Sequence, residues 1–240
     1  GGKLVSGNAV LFDNANLSIA EVSKGAFPYW IGKKEASNAE DVGSHYLEWN
    51  FDTIDGGIAR DEVLANDGIL RNGAAMLMDG SNTVLKLNGR DQYVLAGKDL
   101  ADMQDITITF RVYWEGGKPG QRLVTFDGGK DAYMYITPDS PGGKLACAIK
   151  NGIDTQFVAA KKPLPKNMWV TLQLVLNGDT ASLYLDGKQV GTKSGFTVNP
   201  EDLRARAVYF GCDGKQRHCF KGKLDRISIH RDALEIKQEP

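Results

Sequence analysis

The run Asp105-Ile-Thr-Ile-Thr-Phe-Arg-Val-Tyr-Trp114 alternates between apolar and polar residues almost without fault. On an extended chain Ile106, Ile108, Phe110, Val112 and Trp114 share one face, and Thr107, Thr109, Arg111 and Tyr113 share the other. A side-chain period of two is that of a β-strand with one buried face, whereas a helix groups positions three and four apart. A strand of this kind needs hydrogen-bonded neighbours, so the rest of the chain must supply a sheet.

It does so in hairpins. Val170, Leu172, Leu174 and Leu176 repeat the alternation, against Thr171, Gln173 and Val175. That segment leads through Asn177-Gly178 to Ser182-Leu-Tyr-Leu185, then through Asp186-Gly187 to Lys188-Gln-Val190. Asn-Gly and Asp-Gly supply the positive φ angles of two-residue hairpin turns. Asn88-Gly89, Asn151-Gly152 and Asp213-Gly214 repeat the signal, and much of the stock of 28 glycines falls in such turns. Helical signal is confined to short turns near Asp99–Asp102 and Pro200–Leu203. A parallel α/β sheet would need crossovers of a dozen or more residues, so the expected fold is all-β, an antiparallel two-sheet sandwich. No repeat of 20–50 residues is visible, which argues against a propeller or solenoid.

Residues 1–44 read differently and are expected to form an N-terminal extension or the end of a preceding domain, with the sandwich over 45–240. Leu4-Val5, Ala9–Phe12 and Leu17–Ala20 are candidate short strands there, followed by a polar, loop-like stretch from Lys33 to Ser44. The 29 basic and 30 acidic residues nearly cancel, which gives no electrostatic reason to expect nucleic acid as a partner. No apolar run approaches the roughly 20 residues of a membrane-spanning helix. Three cysteines are too few for a disulfide framework. Cys212 and Cys219 flank a short loop, and two readings stand: a bridge with Cys147 left free, or free thiols. A zinc site from Cys212, His218 and Cys219 lacks a fourth ligand.

Several segments, in order, resemble the laminin-G-like, concanavalin A-like lectin/glucanase domains. Tyr46-Leu-Glu-Trp-Asn-Phe-Asp52 with Asp61 and Asn66-Asp-Gly68 is similar to the family's first strand and loop. Leu85–Val94, Asp105–Trp114 and Gln121–Phe126 with Asp127-Gly128-Gly129 resemble its next strands. Trp169–Gly178 with Ala181–Val190 is the most specific piece, and Phe220–Leu234 resembles the closing strand and tail. The resemblance covers about residues 45–236 and implies a jelly-roll sandwich on an extracellular, cell-surface or periplasmic protein. It leaves function open among lectins, adhesion modules, glucanases and spacers.

Glucanases of this fold carry Glu-x-Asp-x-Glu on one strand, because period two then aims every carboxylate at one cleft. No such triplet occurs, and Asp61-Glu62 would point to opposite faces of a strand. With three histidines and no Gly-x-Ser-x-Gly elbow, a nucleophilic triad has no support either. The resemblance implies a calcium ion at the rim, with Asp52 and Asp225 as candidate ligands and Asp61 able to join them; the competing reading is that Asp52 and Asp225 cap turns or stay solvated. Glycan binding needs exposed aromatic faces against the C–H faces of sugar rings. Tyr29 and Trp30 are the leading candidates, with Tyr133, Tyr135 and Tyr209 behind them, although Tyr29 and Trp30 could equally anchor the extension. Trp114 and Trp169 are expected to be packed. The expected function is a non-catalytic carbohydrate-binding or accessory module, with a glycan or protein ligand. A protein-interaction or structural spacer domain is the alternative, and a glycoside hydrolase a more distant one.

Overall fold

The computed structural model describes residues 44–52, 56–152 and 154–237. The strands run, in order, β1 (His45–Trp49), β2 (Ile58–Ala59), β3 (Gly68–Arg71), β4 (Ala75–Asp79) and β5 (Asn82–Asn88). Next come β6 (Tyr93–Ala96), β7 (Ile106–Trp114), β8 (Val124–Gly129), β9 (Ala132–Thr137) and β10 (Ala146–Asn151). The last six are β11 (Thr155–Ala159), β12 (Trp169–Asn177), β13 (Thr180–Leu185), β14 (Lys188–Ser194), β15 (Ala207–Phe210) and β16 (Lys221–His230). Single 3-10 turns at Lys98–Ala101 and Pro200–Leu203 stand where the sequence suggested short turns.

These strands form two antiparallel sheets, a sandwich of the jelly-roll kind. One is ordered β14-β13-β12-β7-β16-β5-β4, with β1 also paired to β16; the other is β11-β10-β9-β8-β15-β6-β3-β2. The alternation in β7 comes out as expected. Ile106, Ile108, Phe110, Val112 and Trp114 are all buried in the core, whereas Thr109, Arg111 and Tyr113 look outward. Outward-facing Thr107 is buried as well, because the C-terminal tail covers it and its hydroxyl donates to the Asp232 carbonyl. One core cluster joins the two layers, and Trp49 meets Phe210 edge-on at 4.9 Å within it. Each fully buried aliphatic or Phe side chain in such a core contributes about 1.5–3 kcal/mol. The Trp114 indole N–H, buried with it, donates to Gln121 Oε1 at 3.1 Å.

Turn chemistry matches the hairpins closely. Asp186 and Gly187 both have positive φ, 46° and 75°, between paired Leu185 and Lys188. At the β12–β13 turn Asn177 pairs with Thr180, so the turn residues are Gly178 and Asp179, one position later than the Asn-Gly signal suggested. The two sheets approach at one edge, where β14 meets β11. A Cβ on Gly191 would lie 2.5 Å from the Ala159 carbonyl oxygen, so only glycine fits there.

Candidate functional site

Because side chains alternate along every strand, the β8–β11 half of the second sheet sends Val124, Met134, Ile149 and Val158 into the core and their neighbours outward. Register then lines the outward residues up across strands. Phe157 on β11 is opposite Ala148 on β10, and Ala148 is opposite Tyr135 on β9. The row continues through Thr125 and Tyr209 to Leu95, and ends on Ile69 and Ile58.

The Cys212–Cys219 disulfide closes a loop that folds over the middle of this row. Thr125 Oγ–H donates to the Cys212 carbonyl at 2.9 Å. Gly214 sits so close that a Cβ would be 2.0 Å from Asp127 Oδ2 and 3.1 Å from the Tyr209 ring. The loop is tied internally by Asp213, whose carboxylate accepts the N–H groups of Lys215 and Arg217 and contacts His218 Nδ1 at 2.9 Å. Two surfaces result. On one side Tyr93, Leu95 and Tyr209 pack around the disulfide beside Ile69, which is 43% exposed.

The other side is a groove of about 360 Å³ with an alanine floor, Ala146 and Ala148, between the walls Tyr135 and Phe157. Phe157 is 54% exposed, so one face of its ring is open to solvent. The walls stand two interstrand spacings apart, about 10 Å. Each wall also touches a cation. The Arg122 guanidinium lies 3.1 Å from the Tyr135 ring centre, and Lys193 Nζ is 4.8 Å from that of Phe157. Neither cation lines the groove, so both hold the rings from behind. Burial pulls the Arg122 guanidinium below its ordinary value, an effect opposed by Tyr135 and Asp213. Thr155, Ser140 and Lys144 supply polar groups at the margin, and no carboxylate lines the groove. Such a site can hold an amphipathic ring.

Two other concavities are less suited to a sugar. The larger of the two, about 750 Å³, opens beside the 3-10 turn at Pro200–Leu203 and has no aromatic wall among its described lining residues. Its two acids are already engaged, Asp202 with the Asn199 N–H and Glu201 with Gln104 Nε2. A cleft of about 80 Å³ on the first sheet holds Asp79, Asp225, Arg111 and Trp169. Burial raises the Asp225 carboxyl, and nearby Asp52 adds to the shift while Arg111 opposes it. At about 30 Å³ per water, that cleft has room for two or three waters and no sugar ring.

The sequence-derived candidates separate accordingly. Tyr29 and Trp30 lie outside the described residues. Tyr133 stacks on Tyr135 at 5.8 Å just beyond the groove, whereas Tyr209 belongs to the disulfide patch. Asp61 does not join Asp52 and Asp225. Its carboxylate accepts the backbone N–H groups of Glu48, Val63, Leu64 and Asn66 at 2.8, 3.1, 2.9 and 2.8 Å. Among the described residues no three His, Cys, Asp or Glu side chains form a group that could hold a metal. Trp114 is packed as expected, whereas Trp169 is half-buried on the outer face of the first sheet, against Tyr113 and Arg111. Phe157, Arg122 and the alanine floor were missed. Neither Ala146-Cys-Ala-Ile-Lys150 nor Thr155-Gln-Phe-Val-Ala159 alternates apolar with polar residues, so no local period marked the outward face of these strands.

A two-sheet antiparallel sandwich of the jelly-roll kind is the architecture of the concanavalin A-like class of β-sandwiches. The chain belongs to the concanavalin A-like lectin/glucanases superfamily, whose family model matches residues 88–238. No match was found among curated protein sequences. Among solved structures, the chain is similar to domain 4 of an extracellular family 43 arabinanase from Geobacillus stearothermophilus, solved in complex with arabinotriose. Identity is 15% and the TM-score 0.66, over 81% of this chain and 96% of that one. The binding domain of Paraclostridial Mosquitocidal Protein 1 matches at 16% identity and a TM-score of 0.61, over 80% of this chain and 50% of that one. The carbohydrate-binding module of family 40 from the Ruminococcus gnavus IT-sialidase, bound to α2,3-sialyllactose, matches at 15% and 0.51, over 57% and 80%. At such identities the likeness is one of fold.

Proposed function

We propose that this chain is a non-catalytic carbohydrate-binding module of an extracellular protein, and that it holds sugar in the groove between Tyr135 and Phe157. The observation that carries the reading is the pair of aromatic walls over an alanine floor, with no carboxylate along the lining. Sugar rings offer apolar C–H faces to flat π surfaces, and the polar margin suits their hydroxyls. Two of the similar folds described above were solved with an oligosaccharide bound, which supports the same reading.

A thermal-shift screen against soluble oligosaccharides tests it, because a ligand of the folded state raises the melting temperature. A shift with one sugar class, lost in Phe157→Ala, is the expected result. Shifts that survive Phe157→Ala would place the sugar elsewhere, and silence at millimolar sugar would remove the reading for that class. Arms with Ca²⁺ and with EDTA test the calcium ion that the family resemblance suggests. A protein-interaction role is favoured by one specific feature, the patch of Ile69, Leu95 and Tyr209 over buried Tyr93. It becomes the leading reading if no sugar binds.

A further inference from the structure

We infer that the groove captures the last sugar of a glycan chain and not a stretch of its interior, an inference that rests on the glycan-binding reading above. Its floor is only two outward residues long, Ala146 and Ala148. Outward positions on one strand are about 7 Å apart, so the next, Lys150, stands directly in line with the floor.

Lys150 closes that end. It sits opposite Tyr133 on one side and Thr155 on the other. Its ammonium is held by Asp131 at 2.9 Å, and its side chain is only 18% exposed. The cavity reaches Thr155, opposite Lys150, but is lined by neither Lys150 nor Tyr133, so along β9 and β10 it ends at the Tyr135–Ala148 row. The opposite end is closed by the tight turn Ser140–Lys144. There the Ser140 N–H donates to the Lys144 carbonyl, the Gly143 N–H to the Ser140 carbonyl, and the Lys144 N–H to Ser140 Oγ, at 2.8, 2.8 and 3.3 Å.

The two sides are the aromatic walls, each backed by its cation. A volume of about 360 Å³ is near the lower end of the roughly 300–1,000 Å³ range of small-molecule sites. With both ends closed and both walls braced, the opening faces solvent above the floor. A terminal ring can enter with the rest of its chain leaving through that opening. An interior segment would have to run through Lys150 or the Ser140–Lys144 turn.

Isothermal titration against xylo-, cello-, malto- and arabino-oligosaccharides of graded length, with sialyllactose as a further probe, tests this. In the series that binds, the dissociation constant should change less than about threefold between the disaccharide and the hexasaccharide, with one protein per chain. Tightening of about tenfold or more with length, or several proteins per chain, would overturn it. Lys150→Ala opens the closed end and is expected to make longer chains bind more tightly than the disaccharide. A flat profile in that variant would remove Lys150 as the stop. Failure of every series to bind is a different result, since it removes the glycan reading itself and this inference with it.

Discussion

The imidazoles of His45 and His230 stack at 4.3 Å, with their planes 9° apart, where β1 pairs with the end of β16. Glu48 contacts His45 Nε2 at 3.2 Å and also pairs with Arg226, while Arg231 lies over the Tyr46 ring. Burial, and then the neighbouring His45, push His230 below its ordinary value; Arg226 adds to this, while Glu48 and Asp232 oppose it. The folded chain therefore takes up this proton at lower pH than the unfolded chain, so stability rises with pH across the interval.

Acidification from neutral pH downward through the ordinary histidine value is thus expected to lower the melting temperature. His230→Gln should flatten that part of the profile, and an unchanged slope in the variant would assign the loss to other groups. The opposite sign is expected of Asp225, whose raised value makes its ionisation a cost that acid removes.

Asp61→Ala is expected to destabilise more than any surface acid. The substitution leaves four N–H groups without their acceptor, and one of them, that of Glu48, ties β1 to the loop. A loss of about 3 kcal/mol is reasonable for such a network. At roughly 2–4 °C per kcal/mol in a domain of this size, the melting temperature should fall by about 6–12 °C. Asp61→Asn keeps one acceptor oxygen and should lie between. A fall of only a degree or two in Asp61→Ala would return the residue to the pool of candidate ligands.

Much of the fold was legible locally because a strand with one buried face shows its period in a single segment, as Ile106–Trp114 does. Hairpin turns were legible for the same reason, since positive φ at Asp186 and Gly187 is a property of those two residues. The groove was not, because it is a product of register. Tyr135 and Phe157 become opposing walls only because Ala148 pairs with both, and no segment encodes three strands at once. Asp61 is ambiguous in the sequence for a related reason. A carboxylate before a loop looks the same whether its partners are a cation or the N–H groups of Val63, Leu64 and Asn66.

Reduction of the Cys212–Cys219 bridge should loosen the loop that covers Thr125 and Tyr209. The bond closes a separation of 7 residues, for which the chain-entropy account gives about 2–3 kcal/mol. A lower melting temperature with reductant, and the same in Cys212→Ser, is the expected outcome. Cys147 is buried and its thiol is pushed up to about 12 by that burial, so it should stay unreactive in the folded protein. Rapid labelling of Cys147 without denaturant would contradict this placement.

Ala148→Leu offers the sharpest separation of binding from folding. The Ala148 side chain points away from the core and forms the floor between Tyr135 and Phe157. Leucine there fills the space a sugar ring would take, and it extends between apolar walls without displacing a core residue. Affinity should fall at least about tenfold, equivalent to about 1.4 kcal/mol, while the melting temperature stays within a few degrees. Phe157→Ala removes a wall instead of filling the groove, so the two variants disturb the site in opposite ways and should both lose binding. Undiminished affinity in Ala148→Leu would put the sugar outside this groove, and the surface around Ile69 and Tyr209 would be the next to mutate.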